Sequence, residues 1–116
     1  MSLPRRVLEE LREATTAWTP PAAHTTAIKF LHHIDDENLL TDQMSIRAGY
    51  YGNILFEWEL YQLYFHLDTN LSCHVHIIER NNAIVLNVDA ATELVTNELR
   101  FYTTRYDDDE YRKTAR

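Results

Sequence analysis

His66, His74 and His76, together with Glu57 and Glu59, are the side chains of this 116-residue chain best placed by type and spacing to do chemistry. Residues two apart on a strand project to the same side, and directly opposed residues on paired strands bring their Cβ atoms to about 4.5–5.5 Å. If Tyr61-Gln62 is a two-residue turn with Leu60 facing Leu63, then Glu57, His66 and His74 form one cross-strand row. Glu59, Tyr64 and His76 form the next. Three imidazoles beside a carboxylate can hold zinc with one open position, as in some hydrolytic sites, and the same groups can serve as acid and base. Polar cross-strand pairs are also the ordinary furniture of an exposed sheet face, where Glu beside His is favourable in itself. A regular face without a covering loop gives poor control of imidazole tautomer and orientation, on which metal affinity depends. The expectation is therefore no cofactor, no metal and no catalysis, with a metal-dependent enzyme built on His66, His74 and His76 as the alternative.

The elements that would position these residues follow from alternation. Ile54, Phe56, Trp58 and Leu60, then Leu63, Phe65 and Leu67, then Cys73, Val75 and Ile77 fall on one apolar face of three successive strands. In that register Trp58 faces Phe65 and Phe56 faces Leu67. Met44, Ile46 and Ala48 predict a short strand before them, joined by the turn Gly49 to Asn53. Asp68 to Ser72 predicts the next turn. Asn81-Asn82 predicts a two-residue hairpin, because Asn tolerates positive φ, and Ile84, Leu86 and Val88 predict a fifth strand. Leu3, Val7, Leu8, Leu11, Ala14 and Trp18 recur at helical spacing and predict a first helix over about 3–17, with Ser2 as its cap. Thr19-Pro20-Pro21 ends it and starts a second helix, with Thr19 near the cap and Ala27, Ile28, Leu31 and Ile34 buried, ending in a polar loop from Asp35 to Asn38. Asp89 caps a last helix, with Ala90, Ala91, Leu94, Val95 and Leu99 near one face, expected to fray after Thr104. The reading is an α+β fold: two N-terminal helices, a five-stranded antiparallel meander, and a C-terminal helix packed on one face of the sheet. It occupies 1–105 as a single domain, and 106–116 is expected to be a charged, mobile tail.

Composition narrows the function. The net charge of -7 would repel a nucleic-acid backbone and suits a basic partner surface. Two glycines, Gly49 and Gly52, cannot build a phosphate loop, a dinucleotide fingerprint or a nucleophile elbow. The single cysteine, Cys73, can form neither an internal disulfide nor a zinc knuckle, and it lies on the apolar face as a small hydrophobe. No apolar run reaches the length of about 18 residues that a membrane span needs, and the N-terminus lacks an apolar signal region, so a cytoplasmic location is expected. His32-His33, near a helix C-terminus, is explained by the helix dipole.

A helix ending in Trp18, the run Thr19-Pro20-Pro21-Ala22, a second helix from Ala23 to Ile34, and the strand Gly52-Asn53-Ile54-Leu55-Phe56-Glu57-Trp58 resemble a diffuse group of small uncharacterised prokaryotic proteins. The likeness covers about residues 8–78. Tyr50-Tyr51 replaces the acidic turn usual in that group, and the His-rich fourth strand is not part of its pattern. The resemblance implies the fold and assigns no role to Glu57 or Trp58.

The function expected is non-catalytic protein binding, by a small acidic inhibitor of the antitoxin, toxin-immunity or phage anti-defence type. It would cover the basic surface of a toxin or defence complex, without direct nucleic-acid or membrane contact. The residues expected at that interface are Tyr50, Tyr51, Glu57, Glu59, Tyr61 and Tyr64, extended by Asp107, Asp108, Asp109 and Glu110. Turn-borne aromatics anchor interfaces because they bury large area at small entropy cost, while carboxylates steer a cationic partner. A third reading is a structural subunit that forms a homodimer through the exposed sheet face.

Overall fold

A computed structural model of the chain describes residues 3–114, with side chains for 3–105. The element order is α1 (Arg5–Ala14), α2 (Pro21–Asp36), β1 (Met44–Ala48), β2 (Ile54–Trp58), β3 (Leu63–Leu67), β4 (Cys73–Ile77), β5 (Asn82–Leu86) and α3 (Val88–Thr114). The five strands form one antiparallel meander in sequence order, and the helices lie against its apolar face, as the alternation predicts. Phe30 of α2 is the central contact. Its ring meets Phe65 at 4.8 Å, Phe56 at 5.0 Å and Trp58 at 6.3 Å, each edge to face. That geometry suits the aromatic quadrupole, and it ties α2 to two adjacent strands.

The hairpin between β2 and β3 departs from the expected one. Its loop has four residues, a 3-10 turn Glu59–Tyr61 followed by Gln62 at φ 53°, and it closes on Trp58 opposite Leu63. Phe56 therefore faces Phe65, and Ile54 faces Leu67, two residues away from the expected register. A slip of two keeps every strand side chain on its own face, so the core survives the correction. The loop residues do not keep theirs: Leu60 is pushed into solvent and Tyr61 turns inward. The β4–β5 hairpin has the same shape. A 3-10 turn Ile78–Arg80 precedes Asn81 at φ 49°, and Asn82 already belongs to β5 rather than to a two-residue turn. The Ile78 N–H donates to the Gln62 carbonyl at 3.2 Å, joining the two loops.

The helix ends also differ from expectation. α1 begins after Pro4 and stops at Ala14, short of residue 17; Ser2 lies outside the described residues. Thr15 donates through its hydroxyl to the Leu11 carbonyl, the Thr16 N–H donates to Thr19 Oγ1, and the Trp18 N–H donates to Thr16 Oγ1. Short polar side chains that bond the local backbone compete with helix propagation, and three threonines do so here. Trp18 consequently leaves the apolar stripe and is 72% exposed. α2 is preceded by Pro20, not Thr19, and runs on to Asp36, while Ala23 and Phe30 join its buried stripe. Val88 starts α3 instead of ending β5, and α3 continues through Thr114, past the expected fraying point, on a stretch with no glycine or proline to stop it.

Candidate functional site

Two regions compete as the site, and the histidine face is the weaker. The observed rows are Arg47, Leu55, His66, His74 and Val85, then Ser45, Glu57, Tyr64, His76 and Ala83. Glu57 thus stands beside Tyr64, not His66, and accepts a hydrogen bond from Arg47 at 2.6 Å. Glu59 is in the loop and outside either row. The histidines divide. Asp68, at the β3–β4 turn, places one oxygen 2.9 Å from His74 Nε2 and the other 3.3 Å from His66 Nε2. His76 instead lies beside Tyr64, with ring centroids 6.3 Å apart. Among the described residues no group of three His, Cys, Asp or Glu is disposed to hold a metal ion. A shallow groove of about 390 Å³ crosses this face. The nearby thiol is no nucleophile at neutral pH: burial first, and the Asp68 charge second, push Cys73 up to about 11.

The second region is built from two loops. The β1–β2 connection carries Tyr50 and Tyr51, 81% and 82% exposed, with ring centroids 6.4 Å apart. Tyr51 holds φ 54°, an uncommon conformation for a bulky side chain, and Gly52 follows at φ 90°. Gly52 is pressed onto the α1–α2 loop. A Cβ there would lie 2.7 Å from the Thr19 nitrogen and would collide with the Trp18 carbonyl. The Thr19 hydroxyl donates to the Gly52 carbonyl at 2.9 Å. Trp18, Tyr50 and Tyr51 are thereby carried on backbones locked to each other, with all three rings in water. Asn53 extends the brace: its side-chain oxygen accepts the Thr69 N–H at 3.0 Å and fastens the β3–β4 turn to the same end of the sheet.

The residues expected at one interface are thus dispersed. Tyr50 and Tyr51 stand together at one end, while Glu57 and Tyr64 lie on the open face. Glu59 is exposed at the opposite end. Tyr61 is a core residue, stacked on Tyr102 with centroids 5.5 Å apart and planes at 9°. The side chains of Asp107, Asp108, Asp109 and Glu110 lie outside the described residues. Sequence reasoning missed Trp18, whose helical spacing from Ala14 masked the signal of three threonines and two prolines around it. Asp68 carries no signal in the sequence beyond that of a turn residue.

A larger groove, about 680 Å³, runs between α2 and α3 past Lys29, His33, Thr92, Thr96 and Arg100, with Arg100 bridged to Glu37 at 2.8 Å. Among the described residues no helix is long and apolar enough to cross a membrane. Comparison with protein-family models, with curated proteins and with solved structures finds no match.

Proposed function

We propose that this protein is a non-catalytic binding domain that inhibits another protein, of the antitoxin, toxin-immunity or phage anti-defence kind, and that Trp18, Tyr50 and Tyr51 are its anchors. The observation that carries the reading is the exposure of these three rings on loops whose backbones are fixed. Water-exposed Trp and Tyr gain most when a partner desolvates them, and a rigid backbone lowers the ordering cost of binding. The strained φ at Tyr51 fits the same account, since strain of this kind is retained where the surroundings over-determine it and function uses it. The net charge of -7 favours a basic partner, whose approach the acidic surface accelerates.

The test is capture of the partner from native lysate of the source cells, followed by association kinetics over a range of ionic strength. The expected result is a partner of basic surface whose association slows as salt rises, because the screening length shortens to about 3 Å at 1 M. A salt-independent association rate would remove the electrostatic part of the proposal. A captured partner that binds equally well to a protein lacking the three rings would remove the rest.

A further inference from the structure

The two edges of the sheet are treated differently by the fold. The outer edge of β1 is covered by α1: Glu10 accepts the Ile46 N–H at 3.0 Å, and Arg6 donates to the carbonyls of Met44 at 3.4 Å and Thr41 at 3.3 Å. Arg6 and Glu10 are themselves ion-paired, so charged side chains occupy the positions a further strand would need. Among the described residues no side chain bonds the outer edge of β5 in this way. β5 reads Asn82-Ala83-Ile84-Val85-Leu86, without charge, proline or bulge, and Ile84 and Val85 are 38% and 60% exposed. An open, uncharged edge rich in β-branched residues is a template for strand addition.

We propose that β5 is the assembly edge of a symmetric homodimer, in which a second copy pairs with it antiparallel and the two meanders join into one ten-stranded sheet. Symmetry selects the register. A two-fold axis normal to the sheet keeps helix side with helix side only if a residue opposes itself, and centring the axis on Ile84 sets Ala83 opposite Val85 of the second copy, and Asn82 opposite Leu86. The charges favour a second copy over a basic partner. No acidic side chain lies along β5 to attract a cation, and four of the charges next to it cancel in pairs, Arg80 with Glu98 at 2.6 Å and Arg105 with Glu79 at 2.8 Å. Two copies of net charge -7 can therefore meet at this edge without a like-charge cluster. α3 adds apolar surface on the same side. Its residues Thr92, Thr96 and Arg100 face the groove toward α2, so Leu94 and Phe101 occupy the opposite flank, with Phe101 47% exposed and Arg80 5.8 Å above its ring. This edge is separate from the Trp18, Tyr50 and Tyr51 loops, and its test does not depend on them.

Sedimentation equilibrium of the full chain, with melting curves for every variant, decides the matter. The expected result is a species of twice the 13.7 kDa chain mass that dissociates on dilution. The double variant A83K/V85K sets lysine opposite lysine at two symmetric positions and should weaken the dimer by about tenfold or more. The variant A83E/V85K sets glutamate opposite lysine at the same positions and should dimerise. A wild-type chain that stays monomeric at all concentrations overturns the proposal. So does A83K/V85K dimerising as the wild type does, or A83E/V85K remaining monomeric while folded.

Discussion

Two pairs of tyrosines mark the two ends of β2. Tyr50 and Tyr51 precede it and stand in water; Tyr61 follows it and is buried against Tyr102 of α3. Both connections contain a non-glycine residue of positive φ, yet the placement of that residue differs. Tyr51 itself takes the left-handed conformation, and Gly52 then returns the chain to β2 against the α1–α2 loop. In the β2–β3 loop Gln62 takes it, which leaves Tyr61 in the 3-10 turn and aimed at α3. Tyrosine thus serves packing at one end of the strand and stands in solvent at the other. Composition alone does not carry this distinction.

The two ends differ most in what their tyrosines contribute to stability. Tyr102→Ala should cost about 3–5 kcal/mol in denaturant melts, as should Phe65→Ala in the aromatic cluster, because each empties a fully buried aromatic site. Tyr50→Ala and Tyr51→Ala should each fall within about 0.5 kcal/mol of wild type. A loss below about 1 kcal/mol at Tyr102, or above that at Tyr50, would mean the two ends have been assigned the wrong way round. Gly52→Ala comes next, at about 2–4 kcal/mol, from positive φ combined with collision against the Trp18 carbonyl. A neutral Gly52→Ala melt would show that the two aromatic loops are not locked.

The buried end can be sharpened by pH. Burial raises the Glu98 carboxyl above its ordinary 4.5, with Arg80 only partly opposing, whereas the Arg105 hydrogen bond lowers Glu79 below 4.5. For a raised carboxyl the unfolded chain releases its proton first, so stability falls as pH climbs through 4.5 toward the folded value. For a lowered carboxyl stability is present above 4.5 and is lost as pH drops below it. Relative to wild type, Glu98→Gln should therefore gain stability as pH climbs above 4.5, and Glu79→Gln should lose it as pH rises toward 4.5 from below. Urea midpoints on both sides of pH 4.5 check both signs, and parallel curves for the two variants would contradict the assignment. The smallest effect concerns Cys73, near the aromatic-loop end but inside the core. With its thiol at about 11, roughly a thousandth is thiolate at pH 8, so a disulfide reagent should label native protein far more slowly than protein in urea. Equal rates would mean that this end of the sheet opens in solution.

Much of the architecture was legible because alternation at period two survives errors of register. Element order, the antiparallel meander and the inward set from Ile54 to Ile77 all follow from it. Loop geometry was less legible. A four-residue hairpin loop with Gln62 in the left-handed region carries no Gly or Asn signature, so the sequence predicts a turn two residues shorter than the one formed, with Leu60 and Tyr61 in each other's places. Asn81 does carry the signature, which predicts its positive φ but not the length of the loop. Of the aromatic site, Tyr50 and Tyr51 could be read from their place in a turn. Trp18 could not, because its exposure depends on Thr16 and Thr19 bonding the local backbone and on Gly52 meeting the loop from 33 residues further along the chain.

The binding proposal rests on the three exposed rings. The direct measurement is the affinity of the W18A/Y50A/Y51A variant for the partner captured by wild-type protein, alongside its denaturation midpoint. Binding should weaken by about a hundredfold or more with the midpoint little changed, as when interface anchors are removed from a rigid frame. Affinity within about threefold of wild type, in a variant that remains folded, would contradict it.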